Sequence, residues 1–203
     1  MAIRSFEDKT PRIDHSVYVD ETALVIGDVT IAQEASIWPM TVVRGDVNSI
    51  TIGERTNIQD LSMIHVTHRG GPQFPNGYKT TIANDVTVGH HCVIHGCNIE
   101  AFSLIGIGSI VMDGVRVRPR TIIGAGSLVP PGKILEGGYL WVGKPVKRVR
   151  ALTEGEKENL EYSAEHYVKN RIRHATATQN LSRTARKPAP QRTRGLISGR
   201  LRR

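Results

Sequence analysis

Aromatic residues, cysteines and long apolar runs are all scarce in this 203-residue chain. Aromatic residues make up only 5% of the sequence, so any core must be built from small aliphatic side chains. The two cysteines, Cys92 and Cys97, cannot form the disulfide network of a small secreted domain. No run reaches the roughly 20 apolar residues of a membrane span, and no apolar stretch follows a basic start as in a signal peptide. We therefore predict a cytoplasmic protein with no membrane partner for its folded part.

Acidic residues are missing from residues 175–203, which contain eight lysines and arginines. This segment accounts for the formal net charge of +8, since the rest of the chain has as many basic as acidic residues. Its richness in Ser, Thr, Gln, Pro and Arg predicts disorder. A basic segment can contact nucleic acid or an anionic surface, but a solvated extension is the simpler hypothesis, and nucleic-acid contact stays open.

Aliphatic residues recur every six positions through most of the chain. A period of six matches neither an amphipathic helix nor a hairpin meander, and it is typical of a parallel β-helix. In that fold three hexapeptides form one triangular coil, coils stack at strand spacing, and each aliphatic residue of the repeat points inward. The repeat comprises Val19, Val25, Ile31, Ile37, Val43, Ile52, Ile58, Ile64, Ile82, Val88, Ile94, Ile99, Ile105, Val111, Val117, Ile123 and Val129.

The repeat loses its phase between Ile64 and Ile82. Residues 69–80 are rich in Gly and Pro and contain no acidic residue, so we predict a loop that leaves the coil there. When the loop is left out, Ile94 falls one full coil after Ile64 on the same face of the predicted β-helix.

A helix is predicted after the repeat. The segment "TEGE" at 153–156 has the form of a capping box with Thr153 as N-cap, and Leu160, Ala164, Tyr167, Val168 and Ile172 follow with helical spacing. The predicted organisation is an all-β domain at 1–150, a packed α-helix at 151–174 and a disordered basic tail at 175–203.

Three histidines, His90, His91 and His95, fall within six consecutive positions of the stretch "VGHHCVIHGC" at 88–97. His65 and His95 each follow an inward isoleucine in successive coils, so we expect their imidazoles to stack within reach of one metal ion. His90 lies near the next corner, too far from His95 of its own chain, but His90 of a neighbouring subunit could reach the pair. Three imidazoles with an open fourth position are typical of catalytic zinc, although a single histidine is more often a surface residue.

These residues resemble the γ-class carbonic anhydrase family within the left-handed β-helix superfamily. The resemblance rests on "RGD" at 44–46, "NIQD" at 57–60, His65 and the His90–His95 pair, and it covers about residues 10–173. It implies a left-handed coil, a homotrimer, and a metal held by His65 and His95 of one subunit and His90 of the next. The expected metal is Zn²⁺, while Fe²⁺ or Co²⁺ also accept imidazole ligands. The implied activity is reversible hydration of CO2 to bicarbonate by a metal-bound hydroxide.

Other matching residues receive roles from the same resemblance. Arg44 and Asp46 are expected to pair across the subunit interface near the metal. Gln59 is expected to hydrogen-bond the metal-bound water or bicarbonate, because an amide can both donate and accept, and Asn57 would line the same pocket. Asp60 would be an interface carboxylate, although Asn and Asp in a coil also serve as turn residues.

The sequence departs from the archaeal prototype of the family at the expected proton shuttle. That enzyme has glutamates where this chain has Val47 and His68. His68 is the candidate shuttle here, because histidine titrates near neutral pH. Tyr167 resembles a helix tyrosine that bacterial-type members place near the metal, and a plain packing role fits it equally well.

Two further hypotheses stay open. The missing shuttle acids favour a catalytically weak trimer that binds metal or acts as a scaffold. The repeat alone would also fit a hexapeptide acyltransferase, but that chemistry does not need three convergent histidines.

Overall fold

The chain forms a long series of short strands followed by one helix, in a computed structural model that describes residues 2–185, with side chains from 3 to 177. The strands are β1 (Ala2–Arg4), β2 (Arg12–Ile13), β3 (Tyr18–Val19), β4 (Leu24–Ile31), β5 (Ser36–Ile37), β6 (Val42–Ile52), β7 (Asn57–Ile58), β8 (Met63–His65), β9 (Thr80–Ile82), β10 (Thr87–Val88), β11 (Val93–His95), β12 (Asn98–Ile99), β13 (Leu104–Ile105), β14 (Ile110–Val111), β15 (Arg116–Val117), β16 (Ile122–Ile123), β17 (Leu128–Val129), β18 (Ile134–Leu135), β19 (Tyr139–Gly143) and β20 (Val146–Ala151). The helix α1 spans Glu154–Ala185.

The strands pair in parallel and build the three faces of a prism. One face contains β3, β5, β7, β10, β13, β16 and β19, and β20 closes it with an antiparallel pairing. The second, which we call the histidine face, contains β8, β11, β14 and β17, and the third contains β9, β12, β15 and β18. The long strands β4 and β6 contribute to both of these faces. The predicted parallel β-helix is therefore confirmed.

The interior is a column of aliphatic side chains contributed by successive coils. Every residue of the predicted six-residue repeat is almost fully buried except Val19, which is partly buried. Adjacent coils hold equivalent residues in register, so that Ile64 pairs with Val43 on one side and with Ile94 on the other. Full burial of each such side chain contributes about 1.5–3 kcal/mol, which makes this column the main source of stability.

The predicted loop leaves the prism without disturbing its register. It occupies residues 66–79, between β8 and β9, rather than the predicted 69–80, because Thr80 already belongs to β9, and it is called the 66–79 loop below. The first part of β6 pairs with β8 and its last part pairs with β9. The next coil pairs directly with the strand before the loop, Ile94 with Ile64, as the sequence predicted.

Helix α1 begins with the predicted capping box and packs on β3, β5 and β10. Thr153 Oγ1 accepts a hydrogen bond from Glu156 N at 3.2 Å, and Glu156 Oε2 accepts one from Thr153 N at 2.9 Å. Arg171 faces the prism, donating to Ser16 O at 2.8 Å, whereas Ile172, which the spacing placed inward, is half exposed. A largely buried arginine is possible there because its two Nη atoms donate to a backbone carbonyl and to a carboxylate on the prism.

The helix extends beyond the predicted boundary between residues 174 and 175. It begins at Glu154 and continues to Ala185, and between Gly155 in its first turn and Pro188 the sequence contains no further glycine or proline. The remainder of the predicted disordered tail, residues 186–203, lies outside the described residues, so its disorder and its nucleic-acid contact stay predictions. Among residues 2–185, no helix is long and apolar enough to cross a membrane.

Candidate metal centre

Two histidines stack on the histidine face, as the repeat predicted. His65 ends β8, His95 ends β11, and the two are direct partners in the parallel pairing. His65 Nδ1 lies 3.2 Å from His95 Nε2. Both rings are partly buried, with 15% and 34% of their side-chain surface exposed, so the pair lies at the surface of the prism rather than in its core.

A carboxylate holds the outer nitrogen of each ring. Asp46 Oδ1 lies 3.0 Å from His65 Nε2, and Asp113 Oδ1 lies 2.6 Å from His95 Nδ1. An ionised carboxylate only accepts hydrogen bonds, so we assign the ring hydrogens to these outer nitrogens. The two facing nitrogens are then left with lone pairs that point at each other. Such an arrangement is unfavourable unless a cation lies between them.

The facing nitrogens fit a zinc ion. Tetrahedral zinc with Zn–N bonds of roughly 2.0–2.1 Å places neighbouring ligand nitrogens about 3.3 Å apart. The observed separation of 3.2 Å is close to that value. Metal-ligating histidines also commonly donate their other N–H to a carboxylate, as His65 and His95 do here. The donor set of this pair therefore suits a divalent metal.

The partly buried surroundings of His65 favour its neutral form. Burial is the main cause that lowers the pKa of His65 below its ordinary value, and its hydrogen bond to Asp46 opposes this shift. Burial works against the ionised form of Asp46, but hydrogen bonds from His65 and Arg44 outweigh it, so the pKa of Asp46 is lowered. A neutral imidazole beside an ionised carboxylate is the state that metal binding requires.

His90 lies apart from the pair. It stands in the corner turn after β10, where its Nδ1 is 2.8 Å from Asp60 Oδ2, and 45% of its side chain is exposed. Within residues 2–185, no group of three or more His, Cys, Asp or Glu side chains is arranged to hold a metal ion. One chain thus presents two stacked imidazoles and, separately, a third that is paired with a carboxylate.

Gln59 and Asn57 belong to a buried polar chain that reaches the helix. Gln59 Nε2 donates to Asn57 Oδ1 at 3.1 Å, and Asn57 Nδ2 donates to Thr87 Oγ1 at 3.0 Å. The hydroxyl of Thr87 is 3.1 Å from that of Ser163 on α1. Because Asn57 donates to Thr87, its carbonyl oxygen is the atom that faces Gln59. The orientation of the Gln59 amide is therefore fixed from inside the protein.

Of the remaining predicted residues, two lie beside the histidine pair and two do not contact it. Arg44 and Asp46 form an ion pair within one chain, next to His65, whereas the resemblance implied a pairing between subunits. His68 is exposed in the 66–79 loop and has no hydrogen bond to the histidine pair in the described part of the chain. Tyr167 packs its ring edge-on against Trp38, with centroids 5.5 Å apart, and burial raises its pKa.

Asp113 is the site residue that the sequence analysis missed. It contacts His95 through one carboxylate oxygen and accepts a hydrogen bond from Thr67 Oγ1 at 2.7 Å through the other. It lies 18 residues after His95, which is one coil further along the prism. The same stacking rule that joined His65 to His95 would have placed it beside the pair.

Several known proteins are similar to this chain in sequence. The chain is 51% identical to Protein YrdA of Escherichia coli over 167 residues, covering 82% of this chain and 90% of that protein. It is 40% identical to the carbonic anhydrase of Geobacillus kaustophilus over 166 residues, covering 82% of this chain and 87% of the relative. It is 43% identical to the mitochondrial gamma carbonic anhydrase 2 of Arabidopsis thaliana over 163 residues, covering 79% of this chain but 57% of that longer protein. The predicted cytoplasmic location stays a prediction.

Solved structures share the same architecture. A putative acetyltransferase of Bacillus cereus matches with a TM-score of 0.81 at 36% identity, over 87% of this chain and 98% of that one. A hexapeptide transferase family protein from Anaplasma phagocytophilum matches with a TM-score of 0.77 at 38% identity, over 84% and 96%. No protein-family model matches the chain. The fold is thus that of the hexapeptide-repeat proteins. Within that class, this chain belongs to the γ-class carbonic anhydrase-like family.

Proposed function

We propose that this protein is a metal-dependent carbonic anhydrase of the γ type, which hydrates CO2 reversibly to bicarbonate. Its metal centre would form between subunits of a homotrimer, from His65 and His95 of one subunit and His90 of the partner subunit. Zinc is the expected metal, and Fe²⁺ or Co²⁺ are the alternatives that the same imidazole ligands accept. One observation carries the proposal: two imidazole nitrogens face each other 3.2 Å apart, and a carboxylate holds the far side of each ring.

A shared centre accounts for the separation of His90 from the stacked pair. His90 has its Nδ1 next to Asp60, so its Nε2 is free to act as a ligand toward another subunit. Asp60 would then serve His90 as Asp46 and Asp113 serve the other two histidines, by orienting the ring and fixing its hydrogen. All three ligands of the proposed centre follow one pattern.

Residues around the centre would position the reactants. Zinc held by three neutral imidazoles supplies a nucleophile at neutral pH, because it lowers the pKa of water to roughly 7. The Gln59 amide, held by Asn57, can accept from the attacking water and donate to an oxygen of CO2. Arg44 keeps Asp46 ionised and in place beside His65.

The proton released by hydration must reach bulk solvent, and His68 is the proposed carrier. It is exposed in the 66–79 loop, where its imidazole can exchange protons with buffer. In the variant His68→Ala, hydration should slow in dilute buffer and recover when imidazole buffer is added. An unchanged dependence of the rate on buffer concentration would remove His68 from the mechanism.

Neighbouring histidines provide a matched pair of variants for testing the centre. His90→Ala should lose bound metal and CO2 hydration together. His91→Asn should keep both, because His91 is exposed at a corner with φ of 60°, a backbone conformation that asparagine also tolerates. Metal content and stopped-flow hydration are measured on protein purified anaerobically and again after loading with zinc. Full metal content in His90→Ala would contradict the proposed ligand set.

Mixing two inactive variants tests whether the centre is shared. Subunits with His90→Ala keep the stacked pair, and subunits with His95→Ala keep His90. Co-refolding them in equal amounts creates some interfaces with all three ligands, so about a quarter of the wild-type hydration should return. A centre formed within one subunit would give no recovery, and native mass spectrometry would establish whether the assembly is a trimer.

Two alternative functions are separated by the same measurements. Metal bound at the interface without hydration would favour a metal-binding or scaffolding trimer, which the absent shuttle glutamates also favour. The structural neighbours named as transferases support a second alternative, acyl transfer. Turnover of acetyl-CoA, with no loss in His65→Ala or His95→Ala, would favour that activity.

A further inference from the structure

The 66–79 loop forms a hairpin that is held by backbone hydrogen bonds. Thr67 and Tyr78 exchange two backbone hydrogen bonds of 2.9 and 3.2 Å, and Gly70 N donates to Pro75 O at 2.8 Å. Gly77 has φ of 58°, and an added Cβ there would lie 2.3 Å from Thr67 O, so only glycine fits. The loop therefore holds a defined shape where it returns to the prism.

A cavity of about 340 Å³ lies between this loop and the prism. Its volume is at the lower end of the range of small-molecule sites. Two of its residues are basic and two are amides, and none is acidic. The lining residues are Asn48, Arg69, Asn76, Gly77 and Lys79.

The two basic residues of the cavity have no acidic partner. Among residues 3–177, no carboxylate lies within 4.0 Å of the charged groups of Arg69 or Lys79, although most other arginines of the prism are paired. Two positive charges on one cavity repel each other, and a bound anion would relieve that repulsion. The charge of the cavity therefore selects for a negative ligand.

Asn48 holds the 66–79 loop and Arg69 in place at the cavity. It is 8% exposed, and its two amide hydrogens are used by Thr67 O at 3.1 Å and Asn76 O at 3.3 Å. Its oxygen accepts from Arg69 Nη2 at 3.3 Å. One nitrogen of Arg69 is thus anchored, and the rest of the guanidinium fork remains available for a ligand.

We propose that this cavity binds a compact oxyanion, of the phosphate or carbonate class. Arginine presents a planar fork that matches two oxygens of such an anion, and lysine adds a mobile positive charge. Asn76 also lines the cavity, and its side-chain amide is a possible further donor. None of the residues that line the cavity is a proposed metal ligand.

Inorganic phosphate and bicarbonate are the probes, each compared with chloride at equal ionic strength. Phosphorus NMR of phosphate with purified protein should show saturable broadening, and bicarbonate should be tested as a competitor. In the double variant Arg69→Gln with Lys79→Gln, affinity for phosphate should fall by about tenfold or more, because both charged donors to the anion are lost. Competition by bicarbonate would assign the carbonate class, and its absence would assign phosphate.

Two control variants keep the test decisive. Lys169→Gln with Arg173→Gln removes the same charge from exposed positions of α1 and should leave phosphate binding unchanged. His95→Ala disrupts the proposed metal centre and should also retain binding. An equal loss in the α1 double variant would reduce the effect to net charge, and loss in His95→Ala would assign the anion to the metal centre. Either result would overturn the proposal, and so would a finding that neither phosphate nor bicarbonate binds saturably.

Discussion

Residues 98–135 and residues 42–95 of the prism share one type of interior but differ in their outer surface. In the first stretch, strands β12 to β18 are all two residues long and recur every six positions. In the second, β6 has 11 residues and bends round an edge, and the 66–79 loop interrupts the repeat. All of the candidate site residues except Tyr167 and Asp113 lie in the second stretch. Both stretches therefore contribute to the buried core, whereas the candidate site residues are concentrated in the interrupted coils, residues 42–95, rather than in the regular coils, residues 98–135.

The largest expected effect concerns the interior that the two stretches share. Ile94→Ala and Ile105→Ala should each lower the free energy of unfolding by about 2–5 kcal/mol, since both side chains are fully buried. Only Ile94 directly precedes a proposed ligand, so only Ile94→Ala should also weaken metal binding. Urea unfolding at fixed protein concentration and metal content measure the two properties.

Ile134→Ala is the surface control for that pair, because 59% of Ile134 is exposed. It should change stability by less than about 0.5 kcal/mol. Equal metal loss in Ile94→Ala and Ile105→Ala would mean that the regular coils also determine the geometry of the centre, and the contrast between the two stretches would fail.

Asp113 belongs to the regular stretch, residues 98–135, and it contacts His95 of the proposed metal centre. Asp113→Asn removes the charge that holds His95 Nδ1, so zinc affinity should fall by about tenfold to a hundredfold. Competition with a chelator measures the affinity. Asp8→Asn, a change at an exposed aspartate, should have no effect. Undiminished affinity in Asp113→Asn would confine the centre to the interrupted stretch.

Lowering the pH should destabilise the interrupted stretch through His65. Burial lowers the pKa of His65 in the folded protein, while the unfolded chain has the ordinary value of about 6.5. Below that pH the unfolded state binds more protons, so this contribution to stability is complete above about pH 6.5 and is lost as the pH falls. Protons also compete with metal for the ring, which acts in the same direction.

Urea unfolding between about pH 7.5 and 5.5 tests this dependence. His65→Gln should flatten the pH profile of the unfolding free energy, because the group whose pKa burial lowers is then gone. A profile that remains equally steep in His65→Gln would assign the titration to another group.

The smallest expected effect is that of the Tyr167 hydroxyl. Tyr167→Phe keeps the ring that packs on Trp38, so stability should change by less than about 0.5 kcal/mol and hydration should be unchanged. Tyr167→Ala removes the ring and should loosen α1. If hydration fell in the phenylalanine variant, the helix would belong to the chemical site and not only to the scaffold.

The six-residue period was enough to predict the fold and the two neighbouring histidines of the candidate centre, but not the carboxylates that hold them. It identified the buried column, the loop and the stacking of His65 on His95, because inward residues must keep their phase in a narrow prism. It did not reveal that Asp46 and Asp113 hold the outer nitrogens, since periodicity gives the face of a residue but not the direction of its side chain. Arg171 was missed for another reason. Its burial depends on a carbonyl and a carboxylate supplied by distant coils.

The way the 66–79 loop leaves the prism has a consequence for how such proteins diversify. Both ends of the loop are fixed by β6, so its length does not set the positions of the histidines. Each doubling of a loop costs only about 0.6 kcal/mol in closure entropy. Segments of other lengths and charges could therefore be grafted at this point while the coils above and below stay in register. The prism can thus serve as a constant frame on which new specificities are acquired one loop at a time.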